Sequence, residues 1–331
     1  DEQLRAVVVV SKNANVATGP TGLADAEEVA SRVGDLVGGM ATDVLVTSTG
    51  VIGRPYPMDR VRAYLDGIAG AEWTDRFPVT DATVVASAMM TTDTVPKVAE
   101  ARVGECRVVG VAKGVGMIEP DMATMLAFVF TDAELPAAEL DRVFGSVVDR
   151  TFNSLSVDTD TSTSDTAAVL ASGLAGPVDT AAFAAGLEDV CVSLTRQLAS
   201  DGEGAETLIV VRVEGARDDD QARRAAKSVV NSPLVKAAVH GADPNWGRVA
   251  MAIGKLSDDV DIDQQAVSIR FGNDEVYPGV PDEAGLESLA EYMRGDEVHI
   301  GVDLGIADGA WTVYGCDLTD GYVRINADYT T

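Results

Sequence analysis

The stretch that most limits what this chain can become is Lys113-Gly-Val-Gly-Met-Ile-Glu-Pro-Asp-Met-Ala-Thr-Met-Leu-Ala-Phe-Val-Phe130. Its second half is an unbroken apolar, strand-like run that has to be buried. Its first half carries two close glycines and a proline and reads as a loop. Thr124 stands at the junction, read as the first residue of the strand. A hydroxyl there, behind a loop able to move away, is what an N-terminal nucleophile requires once the Ala123-Thr124 peptide is cut. The freed α-amine, with an ordinary pKa of about 7.7 to 8.0, can then act as its general base. The stretch alone also fits a plainer reading, in which Thr124 only opens a buried strand, since Thr favours strands.

Around this stretch strands and helices alternate. Residues 7–10 read as a buried strand, followed by a helix from about Asp25 with Val29, Val33, Leu36 and Val37 on one face. A strand over 44–47 delivers Ser48-Thr49-Gly50. Pro57 suits the first turn of a short helix with Val61, Tyr64, Leu65 and Ile68 facing inward. Residues 98–103 and 107–112, separated by Gly104-Glu105, read as a hairpin that feeds the Lys113 loop. Leu140, Val143, Phe144, Val147, Val148, Phe152 and Leu155 keep helical spacing and predict an amphipathic helix packed on the sheet. A second long helix, capped by Asp179 or Thr180, carries Phe183, Leu187, Cys191, Leu194 and Leu198, so Cys191 reads as core rather than nucleophile.

From about residue 205 the texture changes. Here the pattern predicts a strand over 207–213, a helix from Asp218, a strand over 267–270, a turn at Gly272-Asn273 and a helix through Leu286, Leu289 and Met293. Residues 298–304 and 311–316 then return toward the main sheet. The expected organisation is a main domain over 1–204, a smaller α+β lobe over 205–318 and a C-terminal tail over 319–331.

With 53 acidic against 25 basic residues, the net charge is −28. Such a chain repels nucleic acid and anionic membranes, and no cluster of Lys and Arg offsets that repulsion. No apolar run is long enough to span a bilayer. The start lacks the basic and apolar regions of a secretory signal, and three cysteines form no disulfide framework. The expected setting is the cytoplasm.

The Lys113 to Phe130 stretch resembles the cleavage-site signature of the ornithine acetyltransferase family of arginine biosynthesis, also called glutamate N-acetyltransferase. Further family-like segments follow in the family's order: Asn13-Ala-Asn-Val-Ala-Thr-Gly19, Ser48-Thr-Gly-Val-Ile-Gly53, Met90-Thr-Thr-Asp-Thr94, Asp158-Thr-Asp-Thr-Ser-Thr-Ser-Asp-Thr166, Gly241-Ala-Asp-Pro-Asn-Trp-Gly-Arg248 and Ile325-Asn-Ala-Asp-Tyr-Thr-Thr331. They run from end to end. Family members usually carry a longer segment before the first of these, so the chain resembles a member without its N-terminal strands or with a start outside this sequence. The resemblance implies an α/β layered sandwich of N-terminal-nucleophile type that cuts itself between Ala123 and Thr124. The two fragments, 1–123 and 124–331, would stay together, two of each in a heterotetramer. It also implies transfer of acetyl from N-acetylornithine to glutamate through an acetyl-Thr124 intermediate without a cofactor. Whether acetyl-CoA also serves as donor is open, and an amidase or aminopeptidase with the same nucleophile, or an inactive amino-acid-binding relative, are the other classes.

Acyl transfer passes through a tetrahedral oxyanion that needs fixed donors. The Thr49 hydroxyl and Gly50 N–H at a strand end can supply two, although Ser-Thr-Gly is also an ordinary turn sequence. The family's oxyanion pair matches Thr49 and Gly50. Its substrate-binding positions match Thr91, Lys113, Thr124, Glu203, Asn326 and Thr331. From sign alone, Lys113 suits the substrate's carboxylate and Glu203, between Gly202 and Gly204, its ammonium. The plainer alternatives are solvated surface charges for Lys113 and Glu203 and a frayed end for the tail. A metal is not expected: Asp158, Asp160 and Asp165 lack the glycine and terminal Glu of an EF-hand, and His240 and His299 have no ligand at metal spacing. The two histidines form no Ser-His-Asp pattern, and no nucleotide-binding glycine fingerprint is present. Asp243-Pro-Asn-Trp-Gly-Arg248 reads as a structural loop and helix start.

Overall fold

A computed structural model describes residues 4–72, 81–122 and 124–328. Strands β1 (Ala6–Asn13) and β2 (Val44–Val51) pair in parallel, and α1 (Gly19–Val37) makes the crossover between them. α2 (Met58–Ala69) follows. Side chains alternate across a strand, so this ribbon has two apolar faces. Val8, Val10 and Val46 join Val29, Val33, Leu36 and Leu65 of the helices, whereas Val7, Val9 and Leu45 face the other way.

What they face is a second sheet. After α3 (Ala82–Met89), β3 (Lys97–Val103) and β4 (Cys106–Lys113) form the expected hairpin, and β5 (Leu126–Glu134) runs antiparallel to β4. α4 (Ala137–Arg150) and the short β6 (Leu155–Ser156) lead to β7 (Thr166–Pro177), which is parallel to β5, and α5 (Thr180–Ser200) closes the layer. The sheet order is β3-β4-β5-β7. β5 is apolar on both faces because it is covered on both. Leu126 and Phe128 meet Val7, Val9 and Leu45, while Ala127 and Val129 meet Phe144, Phe183, Leu187 and Leu194. Phe183, Leu187 and Leu194 are each 0% exposed, and burying a side chain of this kind contributes about 1.5–3 kcal/mol. The order helix, ribbon, sheet, helix is the α/β layered sandwich expected of an N-terminal-nucleophile-like domain.

The second lobe is built on β8 (Leu208–Ala216), α6 (Asp219–Val230), α7 (Pro233–His240), α8 (Trp246–Ile253), β9 (Ser268–Phe271), β10 (Asp274–Tyr277), α9 (Glu283–Met293), β11 (Glu297–Asp303) and β12 (Gly309–Cys316). Its sheet order is β10-β9-β11-β8-β12-β6, and α10 (Asp320–Asp328) carries the tail. Asp218 caps α6 by accepting the Gln221 N–H, and acids in its first turn with Lys227 in its last suit the helix dipole. Among the described residues no helix is long and apolar enough to cross a membrane.

Several elements differ from the sequence expectation. Residues 298–304 and 311–316 do not rejoin the main sheet: β11 and β12 flank β8 in the second one, and β12 takes β6 as a parallel neighbour. The helix through Leu140 ends at Arg150, leaving Phe152 in a 3-10 turn and Leu155 in β6. α1 starts at Gly19, with a proline in its first turn, rather than at Asp25. Tyr64 is 72% exposed and faces solvent, not the core. Thr124 precedes its strand by two residues rather than opening it.

Candidate active site

The register of β4 on β5 sets Lys113 directly opposite Leu126, two residues beyond Thr124. From there its Nζ donates to the Thr124 carbonyl at 3.1 Å and to the Thr49 hydroxyl at 3.3 Å, and Thr49 Oγ1 lies 3.4 Å from the same carbonyl. Thr49 arrives on the last turn of ribbon before β2 ends and is 1% exposed. Gly50 follows, exposed, with φ 133°, opposite Lys12 of β1. A Cβ at Gly50 would lie 2.3 Å from the Lys12 carbonyl carbon, so only glycine fits this approach.

Lys113 is not a surface lysine. It is 0% exposed, and burial pushes its pKa down, with Asp93 the chief opposing charge. Asp93 is itself a hub: it accepts the Gly114 N–H at 2.6 Å, the Thr91 N–H at 3.1 Å and Lys97 Nζ at 2.9 Å, with Lys113 Nζ at 3.9 Å. Burial would raise Asp93, but the charges of Lys113 and Lys97 outweigh it and hold the carboxyl below its ordinary range. Lys97, also 0% exposed, bridges on to Asp201 at 2.5 Å.

Glu203 and Asn326 meet across 2.8 Å, so the tail is held rather than frayed as far as α10. The close pass depends on Gly204, where a Cβ would lie 2.3 Å from the Tyr322 nitrogen. Glu203 is pushed up by burial, against the Asn326 hydrogen bond, and it and Lys113 are close enough for each charge to act on the other. Thr49, Gly50, Thr91, Lys113, Thr124, Glu203 and Asn326 therefore gather in one region. Ala123 and Thr331 lie outside the described residues.

The loop before Thr124 is clamped rather than free. Asp158 accepts the Met117 and Ile118 N–H groups at 2.7 and 3.0 Å, Asn153 accepts the Met122 N–H at 3.0 Å, and Glu203 N–H donates to Val115 at 2.8 Å. Glu119 reaches the second lobe through Lys227 and Asn231. Two further residues touch Thr124 that sequence reasoning missed: Ser162 and Asp165. Ser162 Oγ lies 2.7 Å from Thr124 Oγ1 and also accepts the Thr124 N–H, while Asp165 Oδ1 accepts the Thr124 and Met125 N–H groups at 2.5 and 2.8 Å. They lie in the Asp158 to Thr166 segment, whose density of hydroxyls and acids outside any helical period was the available signal. Burial pushes Asp165 up, against the N–H groups it accepts.

Away from this region, Glu206, His240 and Asp317 bring ligand atoms within 4.8 Å of one another, which their spacing in sequence concealed. His240 Nδ1 is 3.1 Å from Asp317 and 3.6 Å from Glu206, so the imidazole is shared between two carboxylates. Cys106, Cys191 and Cys316 are free and buried, and burial pushes the Cys191 thiol up to about 12, consistent with a core residue.

The sequence profile of the ArgJ family matches residues 1–331. The chain is 57% identical over 339 residues to glutamate N-acetyltransferase Oat2 of Streptomyces clavuligerus, spanning 100% of this chain and 84% of that protein. It is 46% identical over 328 residues to the arginine biosynthesis bifunctional protein ArgJ of Thermus thermophilus, spanning 99% and 84%. A crystal structure of the arginine biosynthesis bifunctional protein argJ of Bacillus halodurans superposes with a TM-score of 0.58 at 40% identity, over 61% of this chain and 98% of that one.

Proposed function

The chain belongs to the ArgJ family, and from that premise we propose that it is a self-processing acetyltransferase of arginine biosynthesis that moves acetyl from N-acetylornithine to glutamate. The observation that carries the reading is the convergence of the Thr49 hydroxyl and the buried Lys113 ammonium on Thr124. In the uncut chain the Thr124 hydroxyl attacks the Ala123 carbonyl carbon. The C–N bond breaks as the nitrogen takes a proton, leaving an ester that water hydrolyses to the Ala123 carboxylate and a free Thr124. In turnover the neutral α-amine accepts the hydroxyl proton while the oxygen attacks the acetyl carbonyl.

The oxyanion so formed is met by the Thr49 hydroxyl and the Gly50 N–H, donors fixed in place before charge develops. Ornithine leaves with the proton, and the glutamate amine then attacks acetyl-Thr124. Lys113 suits the α-carboxylate and Glu203, held by Asn326, the side-chain ammonium, with Thr91 a further binding residue and Thr331 one that the resemblance adds. No cofactor is needed for either half-reaction, and acetyl-CoA is a possible second donor. In this reading two copies of each fragment assemble in the cytoplasm.

Intact mass of the purified protein should give two pieces, 1–123 and 124–331, while Thr124→Ala should remain one chain and transfer no acetyl group. Processed protein given N-acetylornithine without glutamate should gain an acetyl increment on the piece that starts at Thr124. Cleavage of Thr124→Ala at this bond, or acetyl found only on the 1–123 piece, would overturn the reading. Release of free acetate in place of acetylglutamate would assign a hydrolase instead.

A further inference from the structure

The Thr124 nitrogen is offered more acceptors than an amide can use. In an uncut chain it carries one hydrogen, which one acceptor satisfies. Yet Ser162 Oγ and Asp165 Oδ1 both lie within reach of it, and Asp165 Oδ2 is buried with no hydrogen-bond partner among the described residues. Ser162 and Asp165 are each only 7% exposed, so water does not readily supply what is missing. Two acceptors on one nitrogen suit the several hydrogens of an α-ammonium, the group that cutting the chain creates, and the orphaned Oδ2 leaves Asp165 short of a donor. A buried polar atom without a partner is costly, and it is relieved once that group forms.

We propose that Ser162 and Asp165 form a cradle for the α-amine of processed Thr124, in which Ser162 relays the nucleophile's proton and Asp165 positions the amine and stabilises its charged form. This rests on the acetyltransferase reading above. The geometry explains why a relay is needed. Direct transfer from Thr124 Oγ1 to its own nitrogen would close a strained five-membered ring with a sharply bent hydrogen bond. Ser162 Oγ bonds both atoms: it lies 2.7 Å from Oγ1 and accepts the Thr124 N–H, so the lone pair of a neutral α-amine at the same place can take the Ser162 proton. As Thr124 Oγ1 attacks the acetyl carbon, its proton passes to Ser162 Oγ while the Ser162 proton passes to the amine. Ser162 ends unchanged, the amine becomes an ammonium, and the reverse relay delivers the proton to the departing nitrogen of ornithine.

Charges on every side act on this amine. Asp165, from the segment before β7, favours the ammonium; Lys113 of β4, whose Nζ is 3.1 Å from the Thr124 carbonyl, opposes it; Asp93 and Glu203 lie behind Lys113 and partly cancel its charge. The amine must be neutral to act as base, so the rising limb of kcat/KM against pH reports its ionisation. Removing the carboxylate charge in Asp165→Asn should move that limb down by about one pH unit, the lower end of what a nearby opposite charge does. Ser162→Ala should lower kcat by about a hundredfold, the lower end of proton-transfer contributions, with KM within about twofold. A residue that only supported the fold would leave the pH limb where it is.

Both variants are measured beside wild type and Thr124→Ala, with processing followed by intact mass. Wild-type rate in Ser162→Ala together with an unmoved limb in Asp165→Asn overturns the cradle while leaving the nucleophile reading intact. Activity retained in Thr124→Ala would instead overturn that reading. Should a variant stay uncut, the same comparison is made with fragments 1–123 and 124–331 co-expressed as separate chains, which supplies the α-amine without self-cleavage, and the same two outcomes then decide for or against the cradle.

Discussion

Asp158, Asp165 and Glu203 around Thr124 are all pushed above the ordinary carboxylate range, and in each the leading cause is burial. On the flank of the second lobe the opposite holds: Arg224 and then Arg217 pull Asp259 down to about 2, and Arg270 holds Glu214 below its usual range. By linkage the two sets act on the fold with opposite sign. A depressed acid adds stability that is fully present above about pH 4 and is lost as pH falls toward its folded value. A raised acid disfavours folding while ionised, and that penalty is relieved as pH falls through its raised value. The flank carboxylates therefore stabilise the fold and these three cost it stability, as expected where charge is kept for chemistry rather than for packing, while Asp93, held down by Lys113 and Lys97, is the exception within the site.

The largest effect should come from the buried lysine that holds the site together. Lys97→Met leaves Asp93 and Asp201 facing each other without their shared cation, both at most 6% exposed at the side chain. Urea unfolding should show a loss of about 3–5 kcal/mol, the usual result of breaking a buried pair from one side. A loss under 1 kcal/mol would show that Asp93 and Asp201 do not depend on Lys97 for their burial.

Lys113→Met should separate function from stability. Burial already disfavours the Lys113 charge, so an apolar side chain of similar length is tolerated by the fold. Its kcat/KM should nevertheless fall by about thirtyfold or more, since a buried charged contact is removed from the pocket. A processed variant with wild-type constants would show that Lys113 meets no substrate charge.

A milder test is acid titration of activity and structure together. Glu203 and Asp165 protonate above the ordinary range, whereas Asp259 stays ionised until about pH 2. Activity should therefore fail at a higher pH than the circular dichroism signal of the fold, and coincident losses would contradict the opposed titrations. The smallest effect is expected on the flank: Arg224 is 41% exposed at the side chain, and Arg224→Ala should cost no more than about 1 kcal/mol in the same urea measurement.

Legibility from sequence followed burial. β5 and α5 were readable because each places large apolar residues at a regular spacing, and the β3-β4 hairpin because two residues separate its strands. β7 was not: Thr166–Pro177 is mostly Ala, Gly and Ser, no residue in it is fully buried, and Leu174 is 88% exposed. α3 and α10 were also missed, one short and the other with no buried residue to set a period. In the site, Lys113 and Thr124 stand in one unusual stretch and could be paired by eye. Ser162, Asp165 and Asp93 reach Thr124 and Lys113 only through tertiary folding, and an acid-rich segment offers no sign of which carboxylate will turn inward.

The bond between residues 123 and 124 joins two neighbouring strands of one sheet, with β3 and β4 on one side of the break and β5 and β7 on the other. Order of events follows from that seam. The groups that gather on Thr124 come from β2, β4 and the segment before β7, so in the proposed self-processing the chain has to fold before it is cut. Once cut, unfolding releases two separate molecules, and finding each other again becomes a bimolecular search whose yield depends on dilution. A mature copy is then protected by the rate at which it comes apart more than by any equilibrium it could return to, and its lifetime is written in the strand pairing across that seam.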